Sequence, residues 1–343
     1  MQETQSATPN WFAETLGALL ARRELTEPQI RTALTAMMNG TCGEAETTAL
    51  LVALRMKGES SGEIAAGARL LREHMIRWDA GTQAVLDTCG TGGDGLGTFN
   101  ISTATAFVVA AAGVSVVKHG NRAVSSRSGS TDVLTALGIT PATDPETARR
   151  SLQKCGLAFC SAPSFHPALK QLGPLRKRLG VGTLFNWLGP LANPAGAAHQ
   201  LLGVGRPELL DLMAGALAKL GTRRAFIVCS RDGLDEVSLS APTLVREVCG
   251  NVVRAWEWTP ADFGLEPCSL AELQADGPEA SAAMIRAVLL RQLGAGSRIV
   301  LANAAAALMA AERVATLLEG IALASDAIRS GRALSVLDAL AND

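Results

Sequence analysis

From residue 84 onward the chain repeats one pattern, in which a short apolar run is followed by a glycine-rich or polar turn and then a helix-like segment. This alternation constrains the fold more than any other feature. Strands joined through helices lie parallel, and a parallel sheet needs helices over both faces. Residues 84–88 (AVLDT) read as a buried strand, followed by a glycine-rich loop and the helix-like run ISTATAFVVAAAG. VSVVK is a second strand and TDVLTALGI another helix, while DPETARRSLQKCG places Asp144 at an N-cap with Pro145 at the first helical position. LAFCSA and AFIVCS are further short apolar runs bounded by turns. Residues 245–258, broken by Cys249-Gly250-Asn251, predict a hairpin, and the C-terminal part returns to Ala- and Leu-rich helices.

The first eighty residues read as helices only. Phe12, Leu16, Leu19 and Leu20 fall on one helical face, and Thr26 with Gln29 resembles a capping box for a helix that stops near Asn39-Gly40. AETTALLVALRMKG ends at Gly58, and Ser60 with Glu63 opens EIAAGARLLREHM with a second capping box. At 343 residues the chain exceeds what one core usually organises. The expected class is α/β. Residues 1–80 would form a small helical domain, with a later segment around 168–190 packing on it. Residues 81–343 would form a larger α/β domain with a mostly parallel central sheet covered by helices.

Composition narrows the function. The chain is 48% hydrophobic and 18% charged, which excludes wholesale disorder, and its formal net charge of -1 provides no global attraction to nucleic acid or an anionic membrane. Aromatic residues make up only 4%, with no Tyr, against base stacking on single strands. Seven Cys with no CxxC pair argue against a disulfide framework or zinc site and fit a reducing cytoplasm. MQETQSATPN lacks the basic and apolar regions of a secretory signal. Residues 95–117 carry no charge, but Asn, Ser, Thr and Gly interrupt them, against a membrane span.

The chemistry concentrates in residues 87–132. Gly90, Gly92 and Gly95 satisfy G-x-G-x-x-G, but no acidic residue follows before Thr131 to hold a ribose hydroxyl, so a dinucleotide site is disfavoured. The second strand instead runs into Lys118, His119 and Arg122, with Arg127 beyond. This pattern suits a highly anionic ligand. Gly90, Gly92 and Gly93 let backbone amides approach phosphate, and Asn100, Ser102 and Thr103 open a helix whose dipole favours anions. Lys118 and Arg122 add charge, while Ser125, Ser126 and Ser130 add hydroxyls.

DGLDE (232–236) follows the AFIVCS strand, and its adjacent Asp235 and Glu236 repel unless a cation lies near. Mg2+ typically takes one or two protein carboxylates and completes its shell with water and phosphate oxygens. In residues 165–194, His166 suits packing or capping as well as catalysis. Arg176 suits either an exposed helical charge or a two-pronged grip on a carboxylate. His74 and His199 have no neighbours at metal-ligand spacing and read as structural.

Taken together, the motifs resemble those of the anthranilate phosphoribosyltransferases. The resemblance rests on GTGGD (90–94), FNIST (99–103), KHGNR (118–122), SGSTDVL (128–134), HPA (166–168), FNWLGPLANP (185–194) and DGLDE, in family order across essentially the whole chain. It implies an enzyme of tryptophan biosynthesis, usually a homodimer joined through its helical domains. Its reaction moves a 5-phosphoribosyl group from phosphoribosyl pyrophosphate to the amine of anthranilate. It further implies that Gly90, Gly93, Asp94, Thr98, Asn100, Ile101, Ser102 and Thr103 line the phosphoribosyl pyrophosphate site. Lys118, His119, Gly120, Asn121, Arg122, Ala123, Val124, Ser125, Ser126 and Ser130 would complete it.

By the same resemblance Ser102, Asp235 and Glu236 hold two Mg2+ ions. Gly90, Asn121 and Arg176 contact anthranilate, with His119, His166 and Pro190 nearby. No side chain is expected to act as nucleophile or obligatory base. Two departures stand out, Gly182 where many relatives have Arg, and Cys229-Ser230 where they have a His-Gly pair. Three other readings compete: a nucleoside phosphorylase of related fold, a non-catalytic nucleic-acid-binding relative, and a transferase acting on another aromatic amine. The paired acids weigh against the first, and complete phosphate motifs with near-zero charge against the second.

Overall fold

The computed structural model describes residues 10–81, 84–121 and 128–342. Arg122, Ala123, Val124, Ser125 and Ser126, expected at the anion site, therefore lie outside the described residues, as does Arg127.

Helices α1 (Asn10–Leu20), α2 (Glu27–Met38), α3 (Glu44–Lys57) and α4 (Ser61–His74) form the N-terminal bundle. Both capping boxes form. The Thr26 amide donates to Gln29 Oε1 at 3.0 Å, and the Ser60 amide donates to Glu63 Oε2 at 2.8 Å. Glu63 does more than cap, since it is buried and also accepts from Lys57 Nζ at 2.8 Å and the Leu25 amide at 2.8 Å. Leu20 departs from the expected apolar face, being 73% exposed where Leu19 is 2% exposed.

The α/β part opens with β1 (Leu86–Gly90), α5 (Ile101–Ala111), β2 (Val116–Gly120), α6 (Ser130–Ala136), α7 (Pro145–Cys155) and β3 (Leu157–Ser161). It continues through the short helices α8 (Ala162–Phe165), α9 (Gly173–Leu179) and α10 (Leu184–Leu188) to β4 (His199–Gly203), α11 (Glu208–Lys219) and β5 (Arg224–Ser230). A hairpin of β6 (Thr243–Cys249) and β7 (Val252–Trp258) precedes α12 (Pro278–Leu289), α13 (Ala295–Ala310), α14 (Leu317–Arg329) and α15 (Arg332–Ala341). Among the described residues the strands make one seven-stranded sheet, ordered β3-β2-β1-β4-β5-β6-β7. β1 to β5 pair in parallel, and β6 and β7 add antiparallel at one edge.

The sequence pattern does not announce β4, although it lies at the centre between β1 and β5. HQLLG opens with two polar residues, yet all five are buried. Burial is tolerable because Gln200 Nε2 donates to the Pro190 carbonyl at 2.7 Å.

Alternate strand residues serve two different cores, as the period of two requires. Leu201, Phe226 and Val228 face a core built with α5 and α12 to α15. Leu202, Ile227 and Cys229 face the other side, where Leu34, Leu51 and Ile64 of the bundle meet Leu172, Leu184 and Leu188. The helical bundle is thus one cover of the sheet, and the polypeptide between β3 and β4 lies against it.

Candidate functional site

The carboxyl ends of β1, β2 and β4 all finish on glycine, at Gly90, Gly120 and Gly203. Space explains the choice. A Cβ on Gly203 would overlap the Asp235 carbonyl, and one on Gly120 would collide with the Ser130 hydroxyl. At Gly90 it would lie 3.1 Å from Asp235 Oδ2, and at Gly205 3.3 Å from the Asp94 Cα. The acidic turn after β5 and the loop after β1 can close over the strand ends only because these positions lack side chains. The resulting crevice lies where open parallel sheets usually take ligands. Within the loop Gly93 has φ 87°, a backbone state that suits glycine.

Three acids gather at this crevice. Burial, followed by the charge and hydrogen bond of Asp94, raises the Asp235 carboxyl well above its usual range. Glu236 is raised by burial and then by Asp235, with Lys118 and a Ser102 hydrogen bond partly offsetting the shift. Ser102, Asp235 and Glu236 are therefore brought together as expected. Asp94, assigned to the phosphate loop on sequence, belongs to the same acidic cluster. Among the described residues no group of three or more Asp, Glu, His or Cys makes a complete metal cage. A cation here would need oxygens from a ligand or water.

Other expected contacts need correction. Lys118 is only 5% exposed, and its ammonium donates to the Thr88 carbonyl and to Ser102 Oγ, the latter at 3.2 Å. It sits beneath the crevice beside Glu236 instead of reaching out from the strand end. Neighbouring His119 points to the opposite face of β2, as adjacent strand residues must, and lines a separate cavity. Ile101 and Thr103 are fully buried, and their amides donate to the carbonyls of Phe99 at 2.7 Å and Asn100 at 3.1 Å. Neither amide is free for an anion. Thr98 pairs with Gln274 at the rim, and Ser130 begins α6.

The second cavity, of about 460 Å³, lies between the β1 and β2 ends and the segment that follows β3. Gly90, His119, Asn121, His166, Arg176 and Pro190 all line it, so every residue placed near the acceptor by resemblance converges here. Arg176, on α9, is fixed by donation to Asn186 Oδ1 at 3.2 Å, and its guanidinium lies 5.6 Å from the Phe185 ring centre. Burial lowers its pKa, though guanidinium stays charged in water-accessible sites.

Burial, then the nearby His119, pushes the His166 imidazole down to about 3, so it is neutral. His119 is itself held by Asp87 Oδ2, 3.3 Å from Nδ1, and by the Gly189 carbonyl, 2.9 Å from Nε2. Asp87, Phe185 and Asn186 were not singled out on sequence. The last two stood inside the FNWLGPLANP motif, whereas nothing in DTCG marked Asp87. At Gly182 an added Cβ would meet nothing within 4 Å, and the residue does not line the cavity. His74 Nδ1 lies 3.0 Å from the Leu70 carbonyl within its own helix.

A helical bundle seated on a mostly parallel sheet, with a crevice at the strand ends, is the architecture of a class of glycosyl transferase. The chain matches the glycosyl transferase family, helical bundle domain, over residues 13–75, and the a/b domain of the same family over residues 82–334. Within that class the chain belongs to the anthranilate phosphoribosyltransferase family. It is 50% identical over 312 residues to the anthranilate phosphoribosyltransferase of Thermomicrobium roseum, covering 90% of each chain. The crystal structure of the Thermus thermophilus anthranilate phosphoribosyltransferase matches with a TM-score of 0.89 at 40% identity, over 96% of this chain and 98% of that one. The Saccharomyces cerevisiae enzyme, in complex with PRPP and Mg, also has a TM-score of 0.89, at 28% identity over 98% of both chains.

Proposed function

We propose that this chain transfers the 5-phosphoribosyl group of phosphoribosyl pyrophosphate to the amine of anthranilate, releasing pyrophosphate, in tryptophan biosynthesis. One observation carries the reading. Gly90 belongs to both sites, lining the Arg176 cavity while a Cβ added to it would lie 3.1 Å from Asp235 Oδ2. A donor in the crevice and an acceptor in the cavity would meet there.

The donor set suits magnesium. Asp235, Glu236 and Ser102 offer hard oxygens, and burial together with Asp94 raises Asp235 while burial together with Asp235 raises Glu236. We assign two Mg2+ ions per subunit to these residues, with Asp94 beside them. Bound there, magnesium neutralises charge developing on the leaving pyrophosphate. The loop around Gly93 and the helix opening at Ser102 direct backbone dipoles at the same charge, and Asn100, Gly120, Asn121 and Ser130 border the donor.

Arg176 grips the anthranilate carboxylate, and Asn121 and Gly90 orient the ring so that the amine faces the ribose C1. An aromatic amine is neutral at pH 7, so attack needs no strong base. His166, being neutral and buried, packs against the acceptor. Catalysis then comes from positioning and charge neutralisation.

The bundle also has an apolar groove of about 940 Å³ between α1 and α3, where Leu20 and Met56 are each 73% exposed. This supports a homodimer through the helical domain, which we bound near residue 80. Sedimentation of Leu20→Asp as a monomer would support it, and an unchanged dimer would reject it. No helix among the described residues is long and apolar enough to cross a membrane, and all seven Cys are free, which supports a cytoplasmic location. The decisive assay mixes pure protein with phosphoribosyl pyrophosphate, Mg2+ and anthranilate and follows anthranilate fluorescence. Loss of signal that stops with a chelator is expected; no loss would reject the reaction.

A further inference from the structure

The donor loop is held from outside by a segment that no motif marks. Residues 273–281, between the hairpin and the body of α12, cross the loop before α5 and bind it at successive positions. The Phe99 amide donates to the Leu273 carbonyl at 2.8 Å, and the Ala275 amide donates to the Gly97 carbonyl at 2.9 Å. Gln274 pairs with Thr98, and its Nε2 donates to the Leu96 carbonyl at 3.2 Å.

The strap ends on Ser281, which is fully buried. Its hydroxyl accepts from the Asn100 amide at 2.9 Å and donates to Asn100 Oδ1 at 2.8 Å. That oxygen also accepts from Ser128 Oγ at 3.0 Å, so one amide side chain joins the loop after β1 to the loop before α6.

We propose that Ser281 is a positioning residue for the phosphoribosyl pyrophosphate site, acting through Asn100 to hold the two anion-binding loops in register. The inference rests on the reaction proposed above. Asn100 stands at the N-cap position of α5, but its side chain makes no capping hydrogen bond and turns instead to Ser281 and Ser128, so its rotamer sets how the two loops meet. With both Asn100 groups tied to Ser281, that rotamer is set before the donor arrives. The acceptor cavity has no contact with the strap among its lining residues. Loss of Ser281 must therefore act on one substrate and spare the other.

The test measures binding of phosphoribosyl pyrophosphate with Mg2+ by calorimetry and KM for each substrate, in the full chain. Ser281→Ala leaves a buried amide and carbonyl short of partners, and the donor Kd and KM should rise about tenfold while the anthranilate KM stays within about twofold. Gln274→Ala, an exposed change that does not threaten folding, should raise the donor KM by about twofold to threefold through the same strap. If Ser281→Ala does not fold, Gln274→Ala decides. Unchanged donor affinity in the folded variants, or an equal rise for both substrates, overturns the positioning role. A wild type that binds no phosphoribosyl pyrophosphate overturns the functional reading itself, and this inference with it.

Discussion

The two halves of the site differ in how complete they are without their ligands. In the acceptor cavity the charged and titratable groups already lie against neighbours, although His119 Nδ1 and both ring nitrogens of His166 make no hydrogen bond among the described residues. Arg176 is braced by Asn186 and Phe185, His119 by Asp87 and Gly189, and His166 is neutral. The crevice is the opposite case, with Asp94, Asp235 and Glu236 crowded together and Lys118 the cation that offsets Glu236. Burial and a neighbouring like charge raise the Asp235 and Glu236 carboxyls, and ionising them there costs folding free energy. A rigid pocket that merely receives an aromatic acid can be finished in advance. A site that must hold a divalent cation and a polyphosphate gathers carboxyls whose burial and crowding oppose ionisation until a cation is bound.

The contrast can be broken most directly at the acids. Asp235→Asn combined with Glu236→Ala should lower Mg2+-dependent turnover by at least about 10³-fold, yet raise the unliganded melting temperature by relieving repulsion. Near-normal rates, or a less stable apo protein, would show that the acids do not hold the metal under strain. Gly203→Ala acts on the same half through space. Its Cβ displaces the Asp235 backbone, and an ångström of misplacement can cost about 10²-fold in rate. Anthranilate binding, read by fluorescence titration, should be unaffected.

On the other half, Arg176→Ala should raise the anthranilate KM about 10- to 100-fold, the worth of a hydrogen-bonded charge, with the donor KM unchanged. Equal changes in both would mean that the halves are not independent. A further effect, on stability and not on rate, appears only at acid pH. His166 has a folded value near 3 against 6.5 ordinarily, so the unfolded chain takes up its proton first as pH falls. Its stabilising contribution is complete above 6.5 and is lost between 6.5 and about 3, at about 1 kcal/mol per pH unit. In His166→Gln the decline of melting temperature over this range should be shallower; an identical slope would reject the assignment.

Much of this arrangement was readable in advance where local physics decides it. The capping boxes at Thr26 and Ser60, the Asp144 cap, the hairpin around Gly250 and four of the parallel strands follow from period, turn chemistry and helix termini. β4 was not readable, because His199 and Gln200 disguise a strand whose Gln200 amide finds its partner at the Pro190 carbonyl only after folding. Leu20 looked like core from its spacing, but helical periodicity cannot say whether a face meets its own domain or remains open. The candidate residues at the acceptor all converged on one cavity. At the crevice the expected residues gather, but their directions differ from the expectation: Lys118 turns inward, Thr103 is buried, and Asp94 joins the acids.

Sequence alone determined most of the elements, β4 excepted, together with the loops rich in Gly and Ser and the adjacency of Asp235 and Glu236, because each depends on residues a few positions apart. Tertiary structure alone decided that the acidic turn closes on Gly90 and Gly203, that Lys118 and His119 serve different sites, and that Ser281 pins Asn100 from 181 residues away. Those relations depend on which strand ends lie side by side and on how much room a missing side chain leaves. Neither quantity exists until the sheet has assembled.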